Sequence, residues 1–379
     1  MSSQRKAVVV TLAVLAGGAA YAQVPDVLNA LDSGGRAMGV GGGLYGTGAD
    51  THSVLGNPAG LAFMDGAQVE ITLRNLPRSV TFARTNFRNP DLNTTGKAGH
   101  MTVGHLAYVQ RIGPSKATFG MSYNVAGYVS DERYGLGDLA IDAGSAARNY
   151  TEKTKAKIDL YTVSIGKPLS STTTIGAGIV FANSFVRNRQ SYSLFSNGVE
   201  TPTTPSDLSG TGSGLGAVVG VQHIPSSNKN MVVGLSVRTP IRLKNDNGTG
   251  AILDRIPGVI DASMAIRRTG MGGGNDYAVI SGHVNRSFRG GGAGLLARKG
   301  TFGGGFGLEY NKDMGDFRLP IRIGYEMNPS GGSYWRDRNL LTFGVGYRPL
   351  SSDTWFDLAF GYASSGGVDT AFSVTRRMK

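Results

Sequence analysis

Four arginines stand at positions where a charged side chain could bind an anionic group. Each lies in a stretch where apolar and other residues alternate, and the alternation places the arginine on the face that is not apolar. They are Arg238, Arg267, Arg322 and Arg348. Since a guanidinium binds a carboxylate through paired, charge-assisted hydrogen bonds, these arginines are candidates for holding a carboxylate. The alternative is ion pairing with acidic residues that share this face, namely Asp261, Glu309, Glu326 and Asp357.

The residue types that catalysis or metal binding requires do not form a recognisable motif. The five histidines, which are His52, His100, His105, His223 and His283, show no H-x-x-x-H spacing. The run "GTGSGLG" at 210–216 lacks the lysine and the following helix of a phosphate-binding loop. The sequence therefore predicts no catalytic residue, no metal site and no cofactor, and it favours a protein that is not an enzyme.

The N-terminal residues predict export from the cytoplasm. Arg5 and Lys6 precede a short apolar run, and Ala20-Tyr21-Ala22 is a small-x-small cleavage site, so we interpret 1–22 as a secretory signal peptide. The chain has no cysteine, so disulfides cannot stabilise it. No apolar run of about 18 residues follows that could form a membrane helix. Since the chain is exported, its net charge of +12 indicates anionic lipid or ligand as a partner, and not nucleic acid.

From about residue 67 onward the chain consists of segments with a period of two. In 300–312, Phe302, Phe306 and Leu308 face one way, whereas Glu309 and a run of glycines face the other. A soluble β-sandwich would carry mostly charged and polar residues on its second face. Here the second face carries glycine, small residues and a few charges, which is typical of the lumen side of a membrane barrel. We count about 14 such segments, and an even number is usual for bacterial barrels.

The connections between these segments alternate in length. Short ones such as "RIGPSK" and "KPLSSTT" are followed by longer ones, located at 84–99, 131–154, 188–213, 245–257, 289–299 and 328–339. Short periplasmic turns and longer outer loops are typical of outer-membrane barrels. We therefore predict an all-β fold, a transmembrane antiparallel β-barrel of about 14 strands in the outer membrane of a diderm bacterium. The loop 134–150 could form a short helix, and 188–213 is mostly polar.

The residues before the first segment lack its periodicity but are too apolar for a solvated tail. They include Val27, Leu44, Leu55 and Leu61. The interior of the barrel is the only large space that can bury them, and a barrel of about 14 strands is wide enough to hold a plug. We therefore predict three parts: a signal peptide at 1–22, an N-terminal hatch at 23–66 that plugs the lumen, and the barrel at 67–379.

One stretch carries a resemblance to a known family. The run "GGRAMGVGGGLYGTGADTHSVLGNPAGLAFM" combines a glycine-rich segment with an Asn-Pro-Ala motif, formed by Asn57, Pro58, Ala59, Gly60 and Leu61. It resembles the hatch of FadL-type outer-membrane transporters of long-chain fatty acids and other hydrophobic compounds. The stretches "MVVGLSVRTPIRLKND" and "LPIRIGYEMNPS" are also similar. In Asn57-Pro58 the asparagine side chain can bond nearby backbone and the proline fixes the next φ, so a structural turn is expected there.

The resemblance implies passive uptake. A hydrophobic ligand such as a fatty acid would bind in the lumen and leave sideways into the outer membrane lipid, through a gap at a kink in the third strand. Gly120 and Gly127 in that strand are the candidates for the kink, because glycine inside a strand often marks a bend; an ordinary barrel glycine is the alternative. The arginines would hold the carboxylate of the ligand. We expect a monomer.

Two other functions remain open from the sequence. One is a barrel of the same family that serves as a scaffold for secretion or surface attachment, as in PorV-type proteins, which the polar outer loops and the glycine-rich lumen face would suit. The other is a general aqueous porin, which the predicted hatch disfavours.

Overall fold

The computed structural model describes most of the chain. The described residues are 24–25, 34–75, 81–83, 93–95, 101–113, 116–134, 139–140, 145–245, 255–272, 274–288, 299–329, 331, 335–364 and 368–378. The predicted signal peptide lies outside these residues, as do part of the predicted hatch and much of the predicted outer loops at 84–99, 245–257 and 289–299.

Fourteen strands form one closed antiparallel barrel. In chain order they are β1 (Ala67–Asn75), β2 (Met101–Ile112), β3 (Ala117–Tyr134), β4 (Ser145–Pro168), β5 (Thr173–Ser196), β6 (Ser206–His223), β7 (Met231–Arg238), β8 (Val259–Thr269), β9 (Tyr277–Ser287), β10 (Thr301–Asp313), β11 (Phe317–Met327), β12 (Leu340–Pro349), β13 (Thr354–Ala363) and β14 (Val368–Met378). Each strand pairs with its neighbour in sequence. The pairing of β14 with β1, from Ala67↔Met378 to Asn75↔Thr370, closes the ring. The predicted fold class is confirmed.

The two faces of the wall differ as the alternation predicts. In β1, Glu70 and Thr72 point inward and are buried, whereas Ile71 and Leu73 point outward and are exposed. The outward face carries exposed large apolar side chains around the ring. A closed ring of strands leaves no backbone edge unpaired and so can cross a membrane with its apolar side chains in contact with lipid. Among the described residues, no helix is long and apolar enough to span a membrane.

Four strands are much longer than the sequence predicts. The segments expected as outer loops at 131–154 and 188–213 are largely continuous with β3 to β6, and β4 and β5 each reach 24 residues. Ser206 pairs with Gln190 and the ladder continues from there to the turn at the opposite end. Beyond the membrane both faces of a strand meet water, so the apolar alternation that identifies a membrane strand disappears. The described part of 134–150 is strand, and the short helix expected there is not formed in it.

Strand β7 is shorter than predicted and ends at Arg238. Pro240, which has no N–H to continue the ladder, follows two residues later. The chain then turns inward, and Ile241–Arg242 pairs with Arg255–Ile256. An added Cβ at Gly214 on the inner face of β6 would overlap the carbonyl oxygen of Arg242. The chain after β7 therefore lies against the inner wall of the barrel.

Residues 34–66, here named the inner segment, lie against the inner wall. The segment contains helix α1 (Gly35–Gly39) and two 3₁₀ turns, Thr51–Val54 and Pro58–Phe63. Between them the chain turns at Gly41 and Gly42, whose φ angles of +57° and +71° favour glycine. Its side chains Met38, Val40, Val54 and Leu61 are completely buried.

The wall contacts part of the inner segment through glycines, which have no side chain. Inward-facing Gly305, Gly307 and Gly324 lie against Val40 and Gly41, and a Cβ on any of these three glycines would overlap backbone atoms of that pair. The glycines of the lumen face thus have a steric purpose, because they allow the two backbones to approach closely.

Adding one methyl group to this wall should displace the inner segment. In Gly305→Ala the new Cβ overlaps the carbonyl oxygen of Gly41, and such overpacking costs about 1–3 kcal/mol. Gly282→Ala is the matched control, because Gly282 is on the adjacent strand and a Cβ there has its nearest neighbour at 3.5 Å. We expect Gly305→Ala, and not Gly282→Ala, to lower the temperature at which the folded barrel loses its mobility on unheated SDS gels. Equal melting of the two variants would contradict the close approach.

Candidate functional site

A buried charge network joins the inner segment to one side of the barrel. Glu309 of β10 accepts hydrogen bonds from Arg36 Nε at 2.9 Å and Nη2 at 3.1 Å, and from Arg322 Nε at 2.6 Å. Arg322 Nη1 lies 2.7 Å from Asp357 Oδ1, and Arg348 reaches the same oxygen at 4.0 Å. The Arg322 and Glu309 side chains are 0% and 1% exposed. Two arginines of the wall and one of the inner segment thus share two carboxylates.

This network accounts for two of the four arginines that were candidates for a ligand carboxylate. Arg322 and Arg348 face inward but have acidic partners. Arg267 lies at the exposed end of β8, where its guanidinium stacks over the Tyr277 ring at 4.0 Å. Arg238 is buried, and its Nε has no hydrogen-bond partner within the described residues. The four arginines therefore do not converge on one site.

Tyr45 of the inner segment is buried close enough to Arg238 and Asp261 for both charges to act on it. Burial raises the pKa of Tyr45 to about 12, with Arg238 opposing the rise and Asp261 adding to it. Asp261 Oδ2 lies 2.6 Å from His283 Nδ1 on the next strand. Tyr45 is therefore a neutral phenol at neutral pH, and its ring centroid lies 6.1 Å from that of His283.

A second polar cluster lies at β1 and β2, and Asp50 connects it to the charge network, because Asp50 accepts hydrogen bonds from Arg36 and from His52 N. His52 Nε2 is 3.1 Å from Glu70 Oε1, and the His52 ring stacks on His105 with 4.0 Å between ring centroids. Burial lowers the pKa of His52, but the charge and hydrogen bond of Glu70 outweigh it and raise the pKa to about 8. Among the described residues, only His52, Glu70 and His105 group donor atoms as a metal site would need. Sequence spacing does not reveal this group, because its members come from three separate elements.

The Asn-Pro-Ala motif lies near the C-terminal end of the inner segment. Asn57 Oδ1 accepts from Ala59 N at 3.2 Å and so caps the second 3₁₀ turn, in which Pro58 is the first residue. Asn57 Nδ2 donates to Gly46 O at 2.8 Å and to Val221 O of β6 at 3.2 Å. The Pro58 carbonyl lies against Gly166 and Gly176 of the wall. These contacts tie the motif to the wall and to the rest of the inner segment.

Next to this motif lies an apolar region of the lumen. It joins Leu55 of the inner segment, inward-facing residues of β3 to β6 and the chain that turns inward after β7. Its members are Leu55, Ala126, Ile158, Leu160, Val180, Ala182, Val218, Ile241, Leu243 and Ile256. We name this set the apolar cluster. All of its members are buried, and the polar side chains of Thr162 and Ser184 flank them on the inward faces of β4 and β5.

The wall beside the apolar cluster is irregular. Val125 of β3 pairs with Asp159, but Gly127 pairs with Ile158, so Ala126 is an extra residue in a β-bulge. On the outer face, Lys157 Nζ lies 2.7 Å from the Tyr123 hydroxyl, which donates to Asp159 at 2.8 Å. Gly120, the other candidate for the kink, lies in a regular part of the strand. Pairing continues without interruption through Gly120, and an added Cβ there would lie 2.6 Å from Val54 Cγ2 of the inner segment.

A separate groove of about 680 Å³ lies on the wall of β8 to β11. Its outward-facing lining includes Met264, Val284, Phe306 and Met327, and Gly282 and Gly304 form its floor. The groove opens toward lipid and is on a different part of the barrel from the apolar cluster.

Neutralising the central carboxylate should loosen the inner segment. In Glu309→Gln, Arg36 and Arg322 lose their shared charged partner, and breaking a buried ion pair costs about 3–5 kcal/mol. Asp207→Asn is the matched control, since Asp207 also binds two arginines, Arg187 and Arg189, but at an exposed site. We expect a lower midpoint of urea unfolding for Glu309→Gln and an unchanged midpoint for Asp207→Asn. If Glu309→Gln were as stable as the control, the network would not contribute to the stability of the folded barrel.

No protein-family model and no curated protein matches this chain. Solved structures do match it. A FadL homologue of Pseudomonas aeruginosa is 14% identical with a TM-score of 0.58, and the match covers 93% of this chain and 98% of that chain. The toluene transporter TodX of Pseudomonas putida is 12% identical with a TM-score of 0.59, over 90% of this chain and 97% of its own.

A third structure has the same architecture. The toluene transporter TbuX of Ralstonia pickettii is 12% identical with a TM-score of 0.56, and the match covers 91% of this chain and 98% of that chain. At these identities the similarity concerns the fold. This chain therefore has the fold of the FadL homologue and of these two toluene transporters, as the resemblance in its sequence implies.

Proposed function

We propose that this protein is a passive outer-membrane channel for the uptake of hydrophobic small molecules. The observation that carries the proposal is the apolar cluster, which lies inside a membrane barrel, beside the inner segment and next to the β-bulge at Ala126. An aqueous channel would line its lumen with polar residues. The solved structures that share the fold include two described as toluene transporters, which supports a hydrophobic ligand.

The inner segment would act as the hatch of this channel. Its contacts run around the lumen: Gly35 N donates to Ser373 Oγ of β14 at 2.8 Å, and Ser164 Oγ of β4 donates to Val54 O at 2.7 Å. A ligand that enters from outside would therefore meet the apolar cluster above the Asn57–Pro58 turn, not an open pore.

The ligand class follows from the charges of the lumen. A buried carboxylate requires a cation or several hydrogen-bond donors, but Arg322 and Arg348 already share Asp357. Arg238 is the remaining inward-facing candidate, and it pairs along the ladder with Val218 of the apolar cluster. The apolar cluster itself thus suits an uncharged hydrocarbon, whereas a long-chain fatty acid would need Arg238 for its carboxylate, and both ligands are included in the experiment.

The exit would be lateral, at the bulge. Ala126 belongs to the apolar cluster and is also the extra residue of the bulge, which has no partner in the ladder. Only the wall at this bulge would therefore separate a ligand in the cluster from lipid. A bulge disrupts the ladder locally, so parting the strands there breaks fewer backbone hydrogen bonds than elsewhere in the wall.

Filling the apolar cluster should abolish uptake. Ala182 points into the cluster from β5, and Ala177 on the same strand points outward to lipid. We expect Ala182→Phe to reduce the initial uptake rate of radiolabelled toluene by about tenfold or more, the equivalent of about 1.4 kcal/mol, in a diderm host that lacks its own hydrophobic channels. Ala177→Phe should transport as the parent does. Oleate is measured in parallel, and oleate uptake that depends on Arg238 would restore the fatty-acid assignment.

Equal uptake with and without the protein, or equal uptake by both phenylalanine variants, would contradict the channel. Co-purification of a surface protein together with absent uptake would favour the secretion or attachment scaffold instead. Both variants are first shown to be folded by their mobility on unheated gels.

A reversible staple can test the lateral exit, because the chain contains no cysteine. Tyr123 and Tyr161 pair across β3 and β4 next to the bulge, with ring centroids 5.3 Å apart. Phe306 and Tyr325 form a similar pair across β10 and β11, with centroids 6.0 Å apart. We expect the oxidised Tyr123→Cys/Tyr161→Cys protein to lose uptake and to regain it on reduction, while Phe306→Cys/Tyr325→Cys transports in both states. Uptake through an oxidised β3–β4 staple would place the exit elsewhere.

A further inference from the structure

The cluster of His52, Glu70 and His105 brings together side chains from three elements. His52 comes from the first 3₁₀ turn of the inner segment, Glu70 from β1 and His105 from β2. One ligand atom from each of these residues lies within 4.8 Å of the others. The side chains of His52 and Glu70 are 14% and 7% exposed, and His105 is fully buried. This is a compact polar site in an otherwise packed contact between the inner segment and the wall.

The hydrogen bonds fix which nitrogen of His105 carries a proton. His105 Nδ1 is 2.6 Å from Asn124 Oδ1, and the amide nitrogen of Asn124 donates to Ser122 Oγ at 2.9 Å. Since an amide oxygen only accepts, Nδ1 is the protonated nitrogen. The lone pair of a neutral His105 is therefore on Nε2, which faces the cluster.

That lone pair receives no proton from the hydroxyl of Thr51. The Thr51 hydroxyl lies 3.4 Å from His105 Nε2. A hydroxyl has one proton to donate, and Thr51 donates it to Glu70 Oε2 at 2.5 Å. Within the described part of the chain, His105 Nε2 thus points an open acceptor at His52 and Glu70.

Two imidazole nitrogens and one carboxylate form a ligand set for a transition metal. Imidazole and carboxylate together bind Zn²⁺ in sites with three protein ligands and an open fourth position, and imidazole also suits copper, nickel and iron. Histidines that bind metal almost always donate their second ring N–H to an oxygen, as His105 does to Asn124. The Thr51 hydroxyl, or a water, is available for the fourth position.

We propose that His52, Glu70 and His105 form a binding site for a divalent transition metal, with Zn²⁺ as the best fit, and that the metal fastens the inner segment to β1 and β2. The site is distinct from the apolar cluster and does not depend on the proposed transport. The metal would hold the inner segment at β1 and β2, whereas the Arg36–Glu309 network holds it at β10 and β11.

Binding is measured with the full chain, refolded in detergent and treated with a chelator. Isothermal titration with Zn²⁺ should show one saturable site, and Co²⁺ should give the visible absorption of a low-coordinate ion. We expect His52→Gln, His105→Gln and Glu70→Gln each to weaken Zn²⁺ binding by more than about 100-fold, beyond the roughly 10–100-fold loss typical of changes to residues that orient a ligand. His223→Gln is the control, since His223 is exposed at the end of β6 and bonds Thr173 at 2.9 Å; it should bind as the parent does.

A further variant keeps all three metal ligands, so that a loss of Zn²⁺ binding can be distinguished from misfolding. Asn124→Leu removes the oxygen that orients His105, together with the hydrogen bond to Ser122, and we expect it to lower Zn²⁺ affinity by about 10-fold in a barrel that still shows folded mobility. The proposal is overturned if the folded parent binds no Zn²⁺ saturably, or if the three cluster variants bind Zn²⁺ as tightly as the parent does. Transport has no part in these measurements, so the two proposals fail independently.

Discussion

The structure depends on how the interior of a wide, closed barrel is filled. Fourteen strands enclose more space than their own side chains fill, since smaller barrels of eight strands already fill themselves. Here the space is filled by a segment of the same chain, whose backbone lies directly on glycines of the wall. Such close approach would bury backbone polar groups at a cost, and the hydrogen bonds from Gln222, Ser164 and Thr342 of the wall to carbonyls of the inner segment offset that cost.

The interior has two sides of different chemistry. From β10 to β13 the inner segment is fastened by Arg36, Glu309, Arg322 and Asp357. From β3 to β6 it meets the aliphatic side chains of the apolar cluster. Removing one partner of a buried ion pair leaves a charge without compensation, whereas apolar surfaces that separate can be covered again by an apolar ligand. The apolar side is therefore where a passage costs least.

The membrane strands could be predicted from the sequence because lipid imposes a simple rule on one face. Phe302, Phe306 and Ile323 face outward as the alternation requires, and the order of the strands followed from it. The rule does not operate above the membrane, so the extensions of β4 and β5 were missed. Alternation also does not predict which side chains bond to one another inside the lumen. Arg322 was predicted to face inward, but Glu309 accepts hydrogen bonds from both Arg322 and Arg36, and this arrangement depends on where the inner segment folds.

The histidine cluster could not be predicted for the same reason, since alternation along a strand does not predict contacts inside the lumen. His52 and His105 show no motif spacing, because their contact is created when the inner segment packs on β1 and β2. That contact bears on how a channel with this interior could open. With the inner segment fastened by charge at β10 to β13 and by the histidine cluster at β1 and β2, moving it as a body would break both sets of contacts. The described part of the chain that turns inward at Pro240 is held by the apolar contacts of Ile241, Leu243 and Ile256 and by backbone pairing with β6. In the channel that we propose, a ligand would displace this chain and part the wall at the neighbouring bulge, while the inner segment stays in place.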